Sequence, residues 1–150
     1  MLIGILNRKG GCGKSTTAVH LAYWLSQQKQ RVIVIDSDGQ MSSSQWLKRL
    51  NLPSTVIADP DELFDQISEL GEEYDSVVVD SPSVLGEPAK SVLLSVDLAI
   101  VPVQPSNLDL LSAKDIVRLV HQAQKIRKGS PKAAMFLSRA ARGTILMREA

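Results

Sequence analysis

Two runs, Val32-Ile33-Val34-Ile35 and Val77-Val78-Val79, are apolar on both alternating faces. A strand of that kind has to be covered on both sides, a condition met inside a parallel sheet with helices above and below it. Each run stops at an aspartate, Asp36 in the first case and Asp80 in the second. A third apolar segment, Leu2 to Leu6, stops instead at the glycine-rich stretch NRKGGCGKST, residues 7–16. Hydrophobic residues make up 44% of the 150 and aromatic residues only 4%, so the core has to be aliphatic. The length suits one domain, 1–150.

Helical and strand patterns alternate along the rest of the chain. Lys14 to Gln28 reads as a helix with Val19, Ala22 and Leu25 on one face. A short helix is expected to contain Gln45 to Leu50, with a strand over Ser54 to Ile57 and a helix over Pro60 to Glu69, where proline and acids occupy the first turn. Further helices are expected over Pro88 to Leu94 and Leu108 to Lys125, with strands over Leu98 to Val101 and Ala134 to Leu137. Another helix opens at Thr144. The fold class is therefore α/β, a mostly parallel sheet with helices on both faces. In such sheets the chemistry collects beyond the carboxyl ends of the strands. The glycine stretch, Asp36-Ser37-Asp38 and Asp80 all fall there.

The usual phosphate loop is G-x-x-x-x-G-K-[ST]. Here Arg8 stands where its first glycine belongs, and a second lysine, Lys9, follows. Glycines 10, 11 and 13 let backbone N–H groups approach an anion, and the next helix adds its positive end. Lys14 is placed to reach the β- and γ-phosphates, Ser15 to bind Mg²⁺, and Thr16 to offer another hydroxyl. Cys12 fills a variable position as a small residue, although a thiol at a helix start is open to oxidation. Asp80 is expected to hold the metal through water, and Asp36, before Asp38, to orient water or complete the metal shell. His20 and His121 have no ligand partners at metal spacing and read as structural, and Trp24 and Trp46 as packing.

No apolar run approaches the roughly 18 residues that span a bilayer, and the N-terminus has no basic leader, so a cytoplasmic protein without a membrane is expected. The single cysteine, Cys12, excludes an internal disulfide. Charge is uneven: Met1 to Ser112 carries −6, and the remainder carries +7. That tail permits a polyanion-binding face, with an ordinary solvated helix end as the alternative.

Lys9-Gly10-Gly11-Cys12-Gly13-Lys14-Ser15 resembles the deviant Walker A loop K-G-G-x-G-K-[ST] of the ParA/MinD partition ATPases. VIVIDSDGQMSSSQW is similar to that family's D-x-D-P-Q motif, with Gly39 replacing the proline, and YDSVVVDSPS to its Walker B segment. SVDLAIVPVQPSNLDLLSA and FLSRAARGTILMREA are similar to its later elements. The short ParF-type partition proteins offer the nearest pattern. The resemblance implies a P-loop ATPase that uses ATP and Mg²⁺, with Lys9, Lys14 and Asp36 in catalysis. It assigns the nucleotide to Gly10, Gly11, Cys12, Gly13, Lys14, Ser15 and Thr16, and the metal to Ser15, Asp36 and Asp80. The position of Arg8 is variable in that family. Lys9 is expected to reach the phosphates of a second subunit in a nucleotide-sandwich homodimer. Further implied partners are non-specific DNA, which makes the protein nucleoid-associated, and a ParB- or ParG-like centromere-binding adaptor. The stretch around Lys125, Arg127, Lys128, Arg139 and Arg142 suits DNA. Measured against the family the chain is expected to be truncated at its C-terminus. The alternatives are a MinD-like positioning ATPase, a small-molecule P-loop kinase or ligase that would not need Lys9, and a nucleotide-binding relic.

Overall fold

Both aliphatic runs lie deep in a six-stranded sheet. β2 (Val32–Asp36) and β4 (Ser76–Asp80) pair in parallel, with Asp36 level with Asp80 at their ends. β1 (Leu2–Ile5) lies between β4 and β5 (Leu98–Val103), while β3 (Ser54–Val56) and β6 (Lys132–Leu137) form the edges. The order is β3-β2-β4-β1-β5-β6 and every pairing is parallel. This computed structural model describes residues 1–39, 41–84 and 86–140, without the side chains of 107–110 and 112. The helix expected from Thr144 lies outside the described residues.

The chain steps from β1 outward to β2 and β3, then returns across the sheet to β4, β5 and β6. Parallel crossovers keep one hand, so this reversal moves the connecting helices to the opposite face. α1 (Lys14–Gln27) and α2 (Ser42–Arg49) cover the first face. There Ala18, Val19, Ala22, Leu25 and Leu47 pack on Ile3, Ile5, Val32, Val34 and Val78. α3 (Pro60–Glu73), α4 (Glu87–Ser95) and α5 (Asn107–Ile126) cover the second. Leu63, Ile67, Val92, Leu93, Ile116 and Val120 lie in one cluster with Ile33, Ile35, Val77 and Val79. The alternation of a single strand thus feeds two cores, as its unbroken apolar sequence requires.

Gly4 permits a close approach between β1 and α4, since a Cβ there would sit 2.6 Å from Val92 Cγ1. β6 is an open edge, with Met135, Phe136 and Leu137 each more than a third exposed.

Some boundaries differ from expectation. α2 takes in the expected Gln45 onward but ends at Arg49, one residue before Leu50, and its first turn is held from outside by Asp36, as described below. α3 runs on to Glu73, and β5 continues through Pro102 to Val103 beside β6. Pro102 offers no N–H, but its carbonyl accepts from Asn7 Nδ2 at 2.7 Å.

Candidate functional site

The glycine loop leaves β1 and turns into α1 through two left-handed residues, Gly11 (φ 74°) and Gly13 (φ 101°), conformations that side chains disfavour. No side chain caps the start of α1, and its first turn carries no acid, so its N-terminal donors face outward toward any anion. Other parts of the chain hold the loop from behind. Gln104 Nε2 donates to Gly11 O at 3.0 Å, and Ser138 Oγ donates to Cys12 O at 2.6 Å. Arg8, at the position of the missing glycine, reaches Asp115 of α5 at 2.9 Å. That pair is exposed and contributes little stability, but it gives the departure from the usual pattern a use.

Beside the loop opens a cleft of about 630 Å³, lined by Gly10, Gly11, Gly13, Lys14, Ser15 and Thr16. Its other walls come from Asp38, Gly39 and Ser42 after β2, Pro82, Ser83 and Val84 after β4, and Arg139 after β6. The volume is within the roughly 300–1,000 Å³ of small-molecule sites. Lys14 is buried, and its Nζ donates to Ser83 Oγ at 2.6 Å and Lys9 O at 3.3 Å.

Asp80 is fully buried, and neither of its carboxylate oxygens has a hydrogen bond among the described residues; the Ser43 hydroxyl is in the same condition. Burial pushes the Asp80 carboxyl from 3.8 up to about 6, with neighbouring Asp36 adding to the effect. The Ser15 and Ser43 hydroxyls and Lys14 oppose the rise, although neither hydroxyl reaches hydrogen-bond geometry with Asp80. An unsatisfied buried carboxylate is expensive, and a cation resolves it. One such carboxylate beside the Ser15 hydroxyl, with room for water, is a donor set that fits Mg²⁺.

Two expected site residues are placed differently. Asp36, like Asp80, is fully buried and does not line the cleft, and its carboxylate is already taken up by hydrogen bonds. Its Oδ2 accepts from Ser44 N and Ser44 Oγ, both at 2.9 Å, and its Oδ1 accepts from Asp38 N at 3.2 Å. It caps α2 across eight residues, in place of Met41, which offers no side-chain cap. Asp38, two residues past the last ladder pair, is the acid on the cleft wall. Asp36→Ala is therefore expected to lower unfolding stability by about 3 kcal/mol, because a buried charged acceptor is lost. Asp38→Ala should change it by less than about 1 kcal/mol, and urea titration of the pair checks this.

Cys12 is 1% exposed and is not among the residues that line the cleft. Arg127, expected on a DNA face, instead donates to the carbonyls of Leu93 and Val96 at the end of α4. His20 meets the edge of Trp46, their ring centroids 5.5 Å apart, and both tryptophans are exposed. Among the described residues no group of acids, histidines or cysteines forms a metal cluster. Arg139 was not among the expected cleft residues, because only the folded chain brings the end of β6 beside the loop.

Residues 3–146 match the CobQ/CobB/MinD/ParA nucleotide binding domain. The chain belongs to that family. Among curated relatives, the maintenance of carboxysome distribution protein A of Gloeobacter kilaueensis is 37% identical over 127 residues. That alignment takes in 81% of this chain but only 56% of the relative. Among solved structures, the cobyrinic acid a,c-diamide synthase of Mycobacterium smegmatis, with ADP and magnesium bound, superposes with TM-score 0.80 at 19% identity, covering 99% of this chain and 78% of that one. A plasmid partition protein of Borrelia burgdorferi bound to AMPPNP gives 0.73 at 20% identity, covering 99% and 79%. At those identities the likeness shows the fold of a CobQ/CobB/MinD/ParA domain. No helix among the described residues is long and apolar enough to cross a membrane.

Proposed function

We propose that this CobQ/CobB/MinD/ParA domain is a Mg²⁺-dependent ATPase of the ParA type, switching between a nucleotide-free form and an ATP-bound dimer that holds DNA. The observation that carries the reading is Asp80, buried without a hydrogen-bond partner among the described residues and grouped with Ser15 and Lys14 at the foot of a glycine loop. Glycines 10, 11 and 13 receive the phosphates on backbone N–H groups. Lys14 exchanges its hold on Ser83 for phosphate oxygens, and Ser15 and Asp80 hold the metal directly or through water. Magnesium held there would supply positive charge against the negative charge that develops in phosphoryl transfer. Asp38, on the wall, orients the attacking water, the task expected of Asp36. Lys9 does not line the cleft its own loop builds, and acts across the dimer on the partner's phosphates.

Dimers bind DNA without sequence preference through the exposed lysines of the C-terminal half, including Lys125 and Lys128. They partition a plasmid or chromosome with a centromere-binding adaptor, in the cytoplasm at the nucleoid. The 37% identical relative favours a second cargo, a protein assembly moved by the same cycle. Gel filtration and DNA titration test the engine under either cargo. With ATP and Mg²⁺ the protein should double in size and bind DNA of any sequence. With ADP it should do neither. Reversing the charge of Lys125 and Lys128 should reduce the salt slope of binding by roughly one per phosphate contact removed. Nucleotide-independent binding, or an unchanged slope, counts against it.

A further inference from the structure

Among the described residues, five other than glycine have left-handed backbone: Lys29, Met41, Asn51, Lys128 and Arg139. Lys29, Asn51 and Lys128 each follow the end of a helix, where that conformation is the ordinary way to stop one. Met41 and Arg139 do not. Met41 precedes α2, between the cleft residues Gly39 and Ser42, and Arg139 follows a strand and lines the cleft itself. Backbone strain without a local structural cause is held where the surroundings require it, characteristically at ligand sites.

The surroundings of Arg139 do fix it. Ser138, its neighbour, is tied twice: its N–H donates to Val103 O at 2.7 Å and its hydroxyl to Cys12 O at 2.6 Å. Ser138 also sits against the loop at Gly13, where an added Cβ would come within 3.8 Å of it. These ties carry the chain past the loop, and the left-handed turn at Arg139 (φ 53°) places that residue on the cleft wall. The residue is exposed, and among the described residues its guanidinium makes no hydrogen bond or ion pair.

Sheet order decides which end of a nucleotide it meets. β1 lies between β4 and β5, so Asp80 and Asp38 arrive from the β4 and β2 side of the loop and Arg139 from the β6 side. On the ATPase reading, Lys14 meets the terminal phosphates, and Ser15 and Asp80 the metal beside them, on the first side. The nucleotide's other end then runs toward the second.

We infer that Arg139 is a nucleotide-binding residue that grips the α-phosphate of the bound nucleotide, its planar fork pairing with two phosphate oxygens. The inference rests on the ATPase reading above. It removes Arg139 from the DNA-binding stretch and gives the site a cation that is indifferent to whether the γ-phosphate is present.

Calorimetric titration with Mg-ADP and with a non-hydrolysable Mg-ATP analogue tests it on the whole chain. Arg139→Ala should weaken both ligands by the same factor, about tenfold or more, as loss of a charge-assisted pair predicts. Arg139→Gly removes the strained backbone together with the cation, so it should lose affinity equally while its urea midpoint holds or rises. A loss confined to the ATP analogue, unchanged affinities, or a midpoint that falls in step with affinity would each overturn the assignment. If the wild-type chain bound neither nucleotide, the ATPase reading itself would fall, and this inference with it.

Discussion

Asp80→Asn is expected to make the metal-free protein more stable and at the same time to remove its magnesium-dependent ATP hydrolysis. The carboxyl of Asp80 is completely buried, without a hydrogen bond among the described residues, and burial raises it from 3.8 to about 6. An acid raised in the folded state favours folding only while it is protonated. Its contribution is complete below 3.8 and is lost as pH rises through about 6, so at neutral pH the folded chain bears the cost of an ionised, unpaired group. The displacement corresponds to about 2–3 kcal/mol. Asparagine keeps the shape and removes the charge, and Ser15 and Ser43 hydroxyls stand nearby to receive its amide. For a domain of this size the gain is a rise of roughly 5–10 °C in melting temperature at neutral pH, shrinking to nothing near pH 4. Turnover should fall by at least about a hundredfold, because the metal loses its carboxylate. Melting curves without metal at the two pH values, beside a phosphate-release assay, check both halves. A variant that melts lower than wild type at neutral pH, or that keeps its turnover, refutes the assignment.

Lys9→Ala is expected to cut ATP turnover by about a thousandfold while leaving nucleotide affinity within about threefold, the pattern of a cation felt in the transition state. Alanine keeps what the Lys9 backbone does, since its N–H donates to Asn7 Oδ1 at 3.3 Å and its carbonyl accepts from Lys14. The loop therefore retains its shape, and the loss belongs to the side chain. Mixing decides whether the cation crosses between subunits. A Lys9→Ala chain has an intact Asp80, and an Asp80→Asn chain has an intact Lys9, so one of the two sites in a mixed dimer is complete. Activity recovered on equal mixing, toward about a quarter of the wild-type value because half of randomly paired dimers are mixed and each holds one complete site, places Lys9 in the partner's site. No recovery places it in its own, and a kinase-like enzyme would show little loss in the first place.

The fold could be read from Val32–Ile35 and Val77–Val79 because burial on both faces leaves few architectures open, and those runs state it without tertiary information. The loop could be read because its glycines and Lys14 act through local backbone. Asp36 and Asp38 could not be told apart in the same way. Both follow an apolar strand, and the difference is that Asp36 is still level with Asp80 inside the sheet, under the start of α2, whereas Asp38 lies past the ladder, where the chain turns to the cleft. The first turn of α2, Ser42–Ser44, is not marked in the sequence either, since the carboxylate that receives the Ser44 N–H comes from another element. Arg127 looked like part of a basic face until folding set it against the carbonyls ending α4. Arg139 was hidden by distance along the chain: nothing near it in sequence announces a cleft that β1, β2 and β4 largely build.

The tie from Ser138 to Cys12 joins positions 126 residues apart. At about 5–20 residues per second of synthesis, the glycine loop leaves the ribosome roughly 6–25 s before its rear support exists. A nascent chain therefore displays its glycine loop well before the sixth strand can back it.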